Sequence, residues 1–241
     1  MTISSPHNPH LKEIRRLVAR RRARELSGRF VAEGEDLLAA ADAAGWEPLE
    51  RYCAAGSGLL GTEVEPGLLA AASELGSGTR TLAVYAERWA PPARGPVCVW
   101  LHGVGDPGNV GTVLRGAVAF GAASVAVGPG TADPFGPKAV RASMGAVFEV
   151  ALARASDIAE LPGPTIALVA DTGMPPLHEL SGALASGATL VVGAERDGLP
   201  AAVVAAADHV ARIPIATHSL NAAMAATVAL YEVSRRMAAD E

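Results

Sequence analysis

The residues of this 241-residue chain best suited to chemistry lie in three loops. The first reads Gly103-Val104-Gly105-Asp106-Pro107-Gly108-Asn109 and leads into an apolar stretch that holds Arg115. Its G-x-G-x-x-G spacing, between a strand-like and a helix-like run, has the form of a turn that cradles a dinucleotide pyrophosphate. That chemistry makes further demands. An acid should follow the first glycine by about 20 residues to hold the ribose hydroxyls. The second strand instead ends Val127-Gly128-Pro129-Gly130, and the next acid is Asp133. Pro107 also removes a backbone N–H from a turn whose purpose is to offer such donors. A nicotinamide cofactor is therefore a poor reading of this loop.

The other two loops are Gly193-Ala194-Glu195-Arg196-Asp197-Gly198, after an apolar run, and Ile213-Pro214-Ile215-Ala216-Thr217-His218-Ser219-Leu220-Asn221. Gly193 ends a strand where a backbone can come close to a ligand. Ile213-Pro214-Ile215 is a stiff apolar edge suited to an adenine face. Ser219 and the residues after it read as a helix start, whose free N–H groups favour polar or anionic groups. Arg115 lies among Val113, Leu114, Gly116, Ala117 and Val118, where a charge needs a reason. Each residue also has a plain reading: Arg115 as a surface arginine, Asn109 as a helix cap, Glu195 as a loop acid, Ser219 as an N-cap and Asn221 as a first-turn amide.

Taken jointly, these blocks resemble the signatures of the SpoU (TrmH-type) RNA 2′-O-ribose methyltransferases of the SPOUT superfamily. Asp106 to Arg115 resembles the first signature, 190–199 the second, and 213–223 the third. Between them Pro137-Lys138-Ala139-Val140-Arg141-Ala142-Ser143-Met144-Gly145-Ala146-Val147-Phe148 is similar to a fourth ordered block. The resemblance implies a parallel α/β domain whose C-terminal segment forms a trefoil knot around S-adenosylmethionine. By similarity Gly193, Ile213 and Leu220 line the cofactor, while Arg115, Asn109, Glu195, Ser219 and Asn221 form the catalytic set. A guanidinium stays protonated in proteins, so Arg115 is expected to orient the ribose 2′-OH and its phosphate rather than act as a free base. Relatives in this family act on ribosomal or transfer RNA, and the layout favours 23S ribosomal RNA. A catalytically silent RNA-binding protein is the reading from another class. The resemblance also implies a homodimer through the last helix, rich in Ala222, Ala223, Ala225, Ala226 and Ala229, and the helix bearing Arg115.

These loops need a scaffold. Short apolar strands are expected at 97–102, 124–128, 165–171, 189–193 and 209–214, with helices at 109–120, 136–145, 200–207 and 219–237. Apolar strands separated by helices predict a parallel sheet covered on both faces, an α/β fold. Upstream, 8–27 reads as one basic helix, 30–32 as a strand and 35–44 as a helix. The stretch 87–96 carries three prolines and a glycine and reads as a linker. The expected domains are 1–88, a basic RNA substrate-binding domain by a looser resemblance, then a linker at 89–96 and a methyltransferase domain at 97–241.

Composition supports this class. Half the residues are apolar, and the two cysteines form no paired motif, so neither a disulfide framework nor a metal site is expected. His178-Glu179 lacks a second ligand at helical spacing. No signal-like segment or run of about 18 apolar residues appears, which predicts a soluble, cytoplasmic protein without membrane contact. The net charge of −5 hides an asymmetry: residues 1–30 carry +6 and the rest −11. Lys12, Arg15, Arg16, Arg20, Arg21 and Arg22, with Arg141 further on, are candidates to neutralise RNA phosphates, although a basic run can also be a solvated helix face.

Overall fold

The computed structural model describes residues 2–75 and 78–238. The chain forms two compact units, one from the residues up to Arg88 together with Asp133–Phe148, the other from Trp89–Ala132 and the residues from Glu149 onward.

The first unit opens with α1 (Pro9–Ala19) and α2 (Arg21–Ser27). Asn8 caps α1 by accepting from the N–H groups of His10 and Leu11, and Pro9 occupies the first turn, where a missing N–H costs nothing. Leu11, Ile14 and Leu17 recur at helical spacing and are buried. The expected single helix over 8–27 is in fact two, broken at Arg20, which is extended (φ −130°, ψ 112°). The break has a physical cause in Arg24. Its side chain is buried, its Nη1 donates to the carbonyls of Leu17 and Val18 in the last turn of α1, and its Nε meets Asp133 Oδ2 at 2.7 Å. An arginine that reads as part of a basic surface is a helix cap and a buried ion-pair partner.

The unit continues through β1 (Arg29–Glu33), α3 (Glu35–Ala43), β2 (Glu50–Ala54), β3 (Thr62–Val64), α4 (Pro66–Ala72) and β4 (Thr81–Ala86). The sheet order is β1-β4-β2-β3, with β4 antiparallel to both neighbours and β2 parallel to β3. Alternation along the strands sends neighbours to opposite faces. Val31 and Val84 pack against Leu11, Ile14 and Leu17. Phe30 and Tyr85 instead join Trp46 and Phe148, with Phe135 against Phe30 at 4.7 Å between ring centroids. The indole of Trp46 donates to the carbonyl of Phe148 at 2.8 Å. Residues 133–148 therefore pack in the first unit, although the sequence reading counts them with 97–241. Two aromatic rings and one ion pair outweigh proximity along the chain.

The second unit holds β5 (Cys98–Leu101), α5 (Pro107–Ala119) and β6 (Ser124–Val127). The chain then contributes α6 (Pro137–Ser143) to the first unit and returns as β7 (Ala151–Arg154), β8 (Thr165–Leu168), α7 (Ser181–Ala185), β9 (Thr189–Val192), α8 (Ala201–Ala206), β10 (His209–Ala211) and α9 (Ala222–Met237). Six strands form one sheet in the order β10-β8-β9-β5-β6-β7, parallel throughout. The central strands β5 and β9 are buried along their whole length, as a sheet covered on both faces requires. β7 was not among the expected strands. Residues 89–96 are not a free linker: Ala93 is buried, Ala90 N–H donates to Leu152, and Arg94 exchanges two hydrogen bonds with the Ser124 hydroxyl. Cys53 and Cys98 are buried thiols, and burial pushes the Cys98 thiol up. Among the described residues no helix is long and apolar enough to cross a membrane, and no three His, Cys, Asp or Glu side chains gather as metal ligands would.

Candidate active site

The carboxyl ends of parallel strands are where open α/β sheets bind ligands, because the loops there converge on one edge. In this chain Leu101 of β5 pairs in register with Val192 of β9, and His102 N–H donates to the Val192 carbonyl at 2.9 Å. The loops leaving these two strands are therefore neighbours. The first reaches α5, which Asp106 caps: one of its oxygens accepts from Gly108 N–H at 2.6 Å and Asn109 N–H at 3.2 Å. This observation disposes of the dinucleotide reading. The chain's own carboxylate occupies the N–H groups that a pyrophosphate would need. It also moves Asn109 from the cap, where the sequence put it, to the third residue of the helix. Asp-Pro-Gly, a capping acid followed by proline at the first helical position, was the available signal.

Freed from capping, the Asn109 side chain does something else. Its Nδ2 donates to Glu195 in a short hydrogen bond, and its Oδ1 accepts from Asn221 Nδ2 at 3.0 Å. Asn221 is the N-cap of α9, its Oδ1 taking the N–H groups of Ala223 and Met224. The direction of the chain is forced. Asn221 must present its oxygen to the helix, so it can give Asn109 only its amide hydrogens. Asn109 must then answer with oxygen and pass its own hydrogens to the carboxylate. Three residues spread over 112 positions thus form one polarised relay, Asn221 to Asn109 to Glu195, joining the loops after β5, β9 and β10.

The loop bearing Glu195 is shaped by glycine. A Cβ on Gly193 would sit 2.4 Å from the Gly198 carbonyl carbon, so no other residue fits without moving that backbone. Ala194 and Gly198 exchange two backbone hydrogen bonds across the turn, and Gly198 has φ +65°. Ile213 and Leu220 are half-buried in the segment joining β10 to α9, and Ser219 is exposed. The last helix begins at Ala222 rather than at Ser219, so Ser219 and Leu220 belong to the loop.

Arg115 is not part of the relay. It is exposed on α5 and makes no hydrogen bond or ion pair with the described residues. Six residues past Asn109, it lies about 9 Å further along the helix axis. Beside it α5 packs closely on α9 through Gly116, where a Cβ would approach Thr227 Oγ1 to 3.2 Å. The outer side of α9 exposes Met224, Val228 and Tyr231, at spacings that align them in one stripe.

The basic candidates divide. Lys12, Arg16, Arg20 and Arg22 are exposed and make no ion pair with the described residues. Arg15 instead donates to the carbonyls of Leu11 and Pro6, Arg21 pairs with Glu25, and Arg141 pairs with Glu74 at 2.7 Å.

With this geometry in view, the comparisons with known proteins are informative. The SpoU rRNA Methylase family model matches residues 96–231, which span all three loops. The chain belongs to the SpoU rRNA methylase family. Its relatives include a Mycobacterium tuberculosis protein described as an uncharacterized tRNA/rRNA methyltransferase, 34% identical over 195 residues, covering 73% of this chain and 62% of the relative. A 23S rRNA (uridine(2479)-2′-O)-methyltransferase of Streptomyces viridochromogenes is 33% identical over 142 residues, covering 54% of this chain and 50% of that one. The chain thus spans half to three-fifths of the length of these curated relatives. Among solved structures, an AdoMet-bound rRNA methyltransferase from Sinorhizobium meliloti superposes with a TM-score of 0.86 at 28% identity, over 98% of each chain.

For this SpoU-family chain, the tight Gly193 contact generates a test. Gly193→Ala should push the 194–198 turn outward and carry Glu195 off Asn109. Trypsin should then cut after Arg196, exposed in that turn, at least several-fold faster than in the parent chain. An unchanged cleavage rate would show that the turn absorbs a side chain after all.

Proposed function

We propose that this chain transfers the methyl group of S-adenosylmethionine to a ribose 2′-OH of RNA, with 23S ribosomal RNA as the favoured substrate and transfer RNA the alternative. The observation that carries the reading is the Asn221–Asn109–Glu195 relay, which joins residues from three separate sequence blocks at one sheet edge. The names of the family and its relatives supply the substrate class.

The loop residues suit the cofactor. Gly193 lets the 194–198 turn fold back on the end of β9, and the half-buried Ile213 and Leu220 beside it offer apolar contact. Bound there, S-adenosylmethionine supplies an electrophilic methyl group. What the protein adds is alignment and charge placement. Glu195 uses one carboxylate oxygen toward Asn109, and the other, without a partner among the described residues, can accept from a ribose hydroxyl. Asn109 and Asn221 hold that carboxylate in place, and Ser219 adds a hydroxyl in the adjoining loop. Arg115, exposed and without a partner among the described residues, grips a substrate phosphate and turns the 2′-oxygen toward the methyl carbon.

RNA backbone is held by Lys12, Arg16, Arg20 and Arg22, which are exposed and make no ion pair with the described residues. Arg15, Arg21 and Arg141 give phosphates less, since each already has a protein partner. The same reading includes a trefoil knot of the C-terminal segment. It is supported by a sheet in which β9 lies beside β5 with β8 and then β10 beyond it, out of chain order. It also includes a homodimer through α5 and α9, supported by the exposed Met224–Val228–Tyr231 stripe. Residence with RNA in the cytoplasm follows from the substrate.

Radiolabelled S-adenosylmethionine incubated with ribosomal and transfer RNA pools tests the activity, the modified nucleotide being located by resistance to alkaline cleavage. Label in neither pool would remove the proposal, and with RNA binding retained would leave the silent binder. Arg115→Ala should cut transfer at least 100-fold, on the scale of losing an electrostatic or orienting contact, with cofactor affinity changed only a few-fold. Collapse of cofactor binding would refute the assigned role. Replacing Lys12, Arg16, Arg20 and Arg22 by Ala should lower the slope of log affinity against log salt by up to about 3; an unchanged slope returns these residues to a solvated face. Light scattering should give twice the 24.5 kDa of the chain, and a monomer would dismiss the dimer.

A further inference from the structure

Asp106 is exposed at the sheet edge of the second unit, three residues before Asn109, and the reading above gives it no part in methyl transfer. A carboxylate so near a member of the relay invites a role as a second acid, or as the counter-ion of a bound cation. Its hydrogen bonds point elsewhere.

A helix begins with N–H groups that have no partner in the helix itself. In α5 that deficit is small. Pro107, the first helical residue, has no N–H, and Val110 N–H already reaches the Asp106 carbonyl at 3.2 Å. The N–H groups of Gly108 and Asn109 remain, and Asp106 Oδ1 accepts both. Asp106 is extended (φ −84°, ψ 117°), the conformation of an N-cap. On the carbonyl side of the same turn, Thr112 Oγ1 donates to Gly108 at 2.8 Å. The turn needs this support, because 108–113 is a poor helix former: glycine stands at 108 and 111, and β-branched side chains at 110, 112 and 113.

Asn109 is the third residue of that turn, so its side chain keeps its direction only while the turn stays wound. That direction is what brings Nδ2 to Glu195 and Oδ1 to Asn221. Arg115 lies more than a turn and a half further on, where α5 is held against α9 beside Gly116. A frayed first turn therefore displaces Asn109 and releases Glu195, while Arg115 keeps its place.

We infer that Asp106 is a positioning residue for methyl transfer: as the cap of α5 it aims Asn109 at Glu195, and its charge takes no part in the reaction. This rests on the proposed activity and adds to it a residue that acts only through Asn109.

The test compares full chains carrying Asp106→Ala, Asp106→Asn and Asp106→Ser. Asparagine and serine cap a helix about as well as aspartate without its charge, whereas alanine does not cap. Amide hydrogen exchange over 108–113 should quicken about fivefold in Asp106→Ala, the scale of a lost N-cap, and return to the parent rate in the other two. With an RNA pool as substrate, Asp106→Ala should lower kcat by roughly tenfold or more, since misplacement by about 1 Å is costly. KM for RNA and cofactor affinity should change less than about threefold in the same chain, because Arg115 and the cofactor loops do not move. Asp106→Asn and Asp106→Ser should keep kcat within about threefold of the parent. The double variant Asp106→Ala/Asn109→Ala should be no slower than Asn109→Ala alone, because the first change acts through the second. Losses that multiply in the double variant, or an Asp106→Asn chain as slow as Asp106→Ala, would overturn the inference. So would unchanged exchange in Asp106→Ala. Exchange needs no turnover, so the expected exchange pattern in chains that transfer no label refutes only the proposed activity.

Discussion

Everything at the sheet edge of the second unit depends on a side chain that was released from an ordinary duty. Asp106 caps α5, so Asn109, two residues inside the helix, is free to accept from Asn221 and donate to Glu195. An amide is the right group for that position because it both accepts and donates. A carboxylate there would face Glu195 with like charge, and an aliphatic side chain would leave Asn221 Nδ2 and Glu195 without the hydrogen bonds that Asn109 makes to them. Asn221 is doubly committed, since the same side chain starts α9. The order of the last helix and the order of the candidate site are therefore one constraint.

Backbone proximity supplies the rest of that constraint. Parallel pairing brings the ends of β5 and β9 together, and Gly193 lets the 194–198 turn close against its own strand. Gly116 does the same between α5 and α9. The absence of side chains at these two points fixes where Glu195 and Arg115 stand, which is why small residues recur so often around a site made of large polar ones.

The arginines of the amino-terminal region illustrate how burial sorts identical residues. Arg24 loses its solvation and is compensated by Asp133 and by two carbonyls, so its charge is consumed inside the unit. Taking such a group out of water without those partners would cost several kcal/mol. Arg16, Arg20 and Arg22, a few residues away, keep their hydration and their charge. The acid that decides the fate of Arg24 is 109 residues distant in sequence.

The sequence by itself determined the α/β class, most strand and helix positions, and the three loops, because apolar periodicity and glycine spacing are local properties of the chain. It also marked Asn109, Glu195 and Asn221, which the family resemblance grouped with Arg115 and Ser219 as one catalytic set. Only the tertiary structure decided that these three share one hydrogen-bonded chain while Arg115 stands apart. It also split the basic helix at Arg20 and packed residues 133–148 with the first unit. Each of those outcomes turns on a partner far away along the chain, such as Asp133 for Arg24 or Phe30 for Phe135. Local pattern records what a residue can do, and the partner that makes it do so is selected by packing.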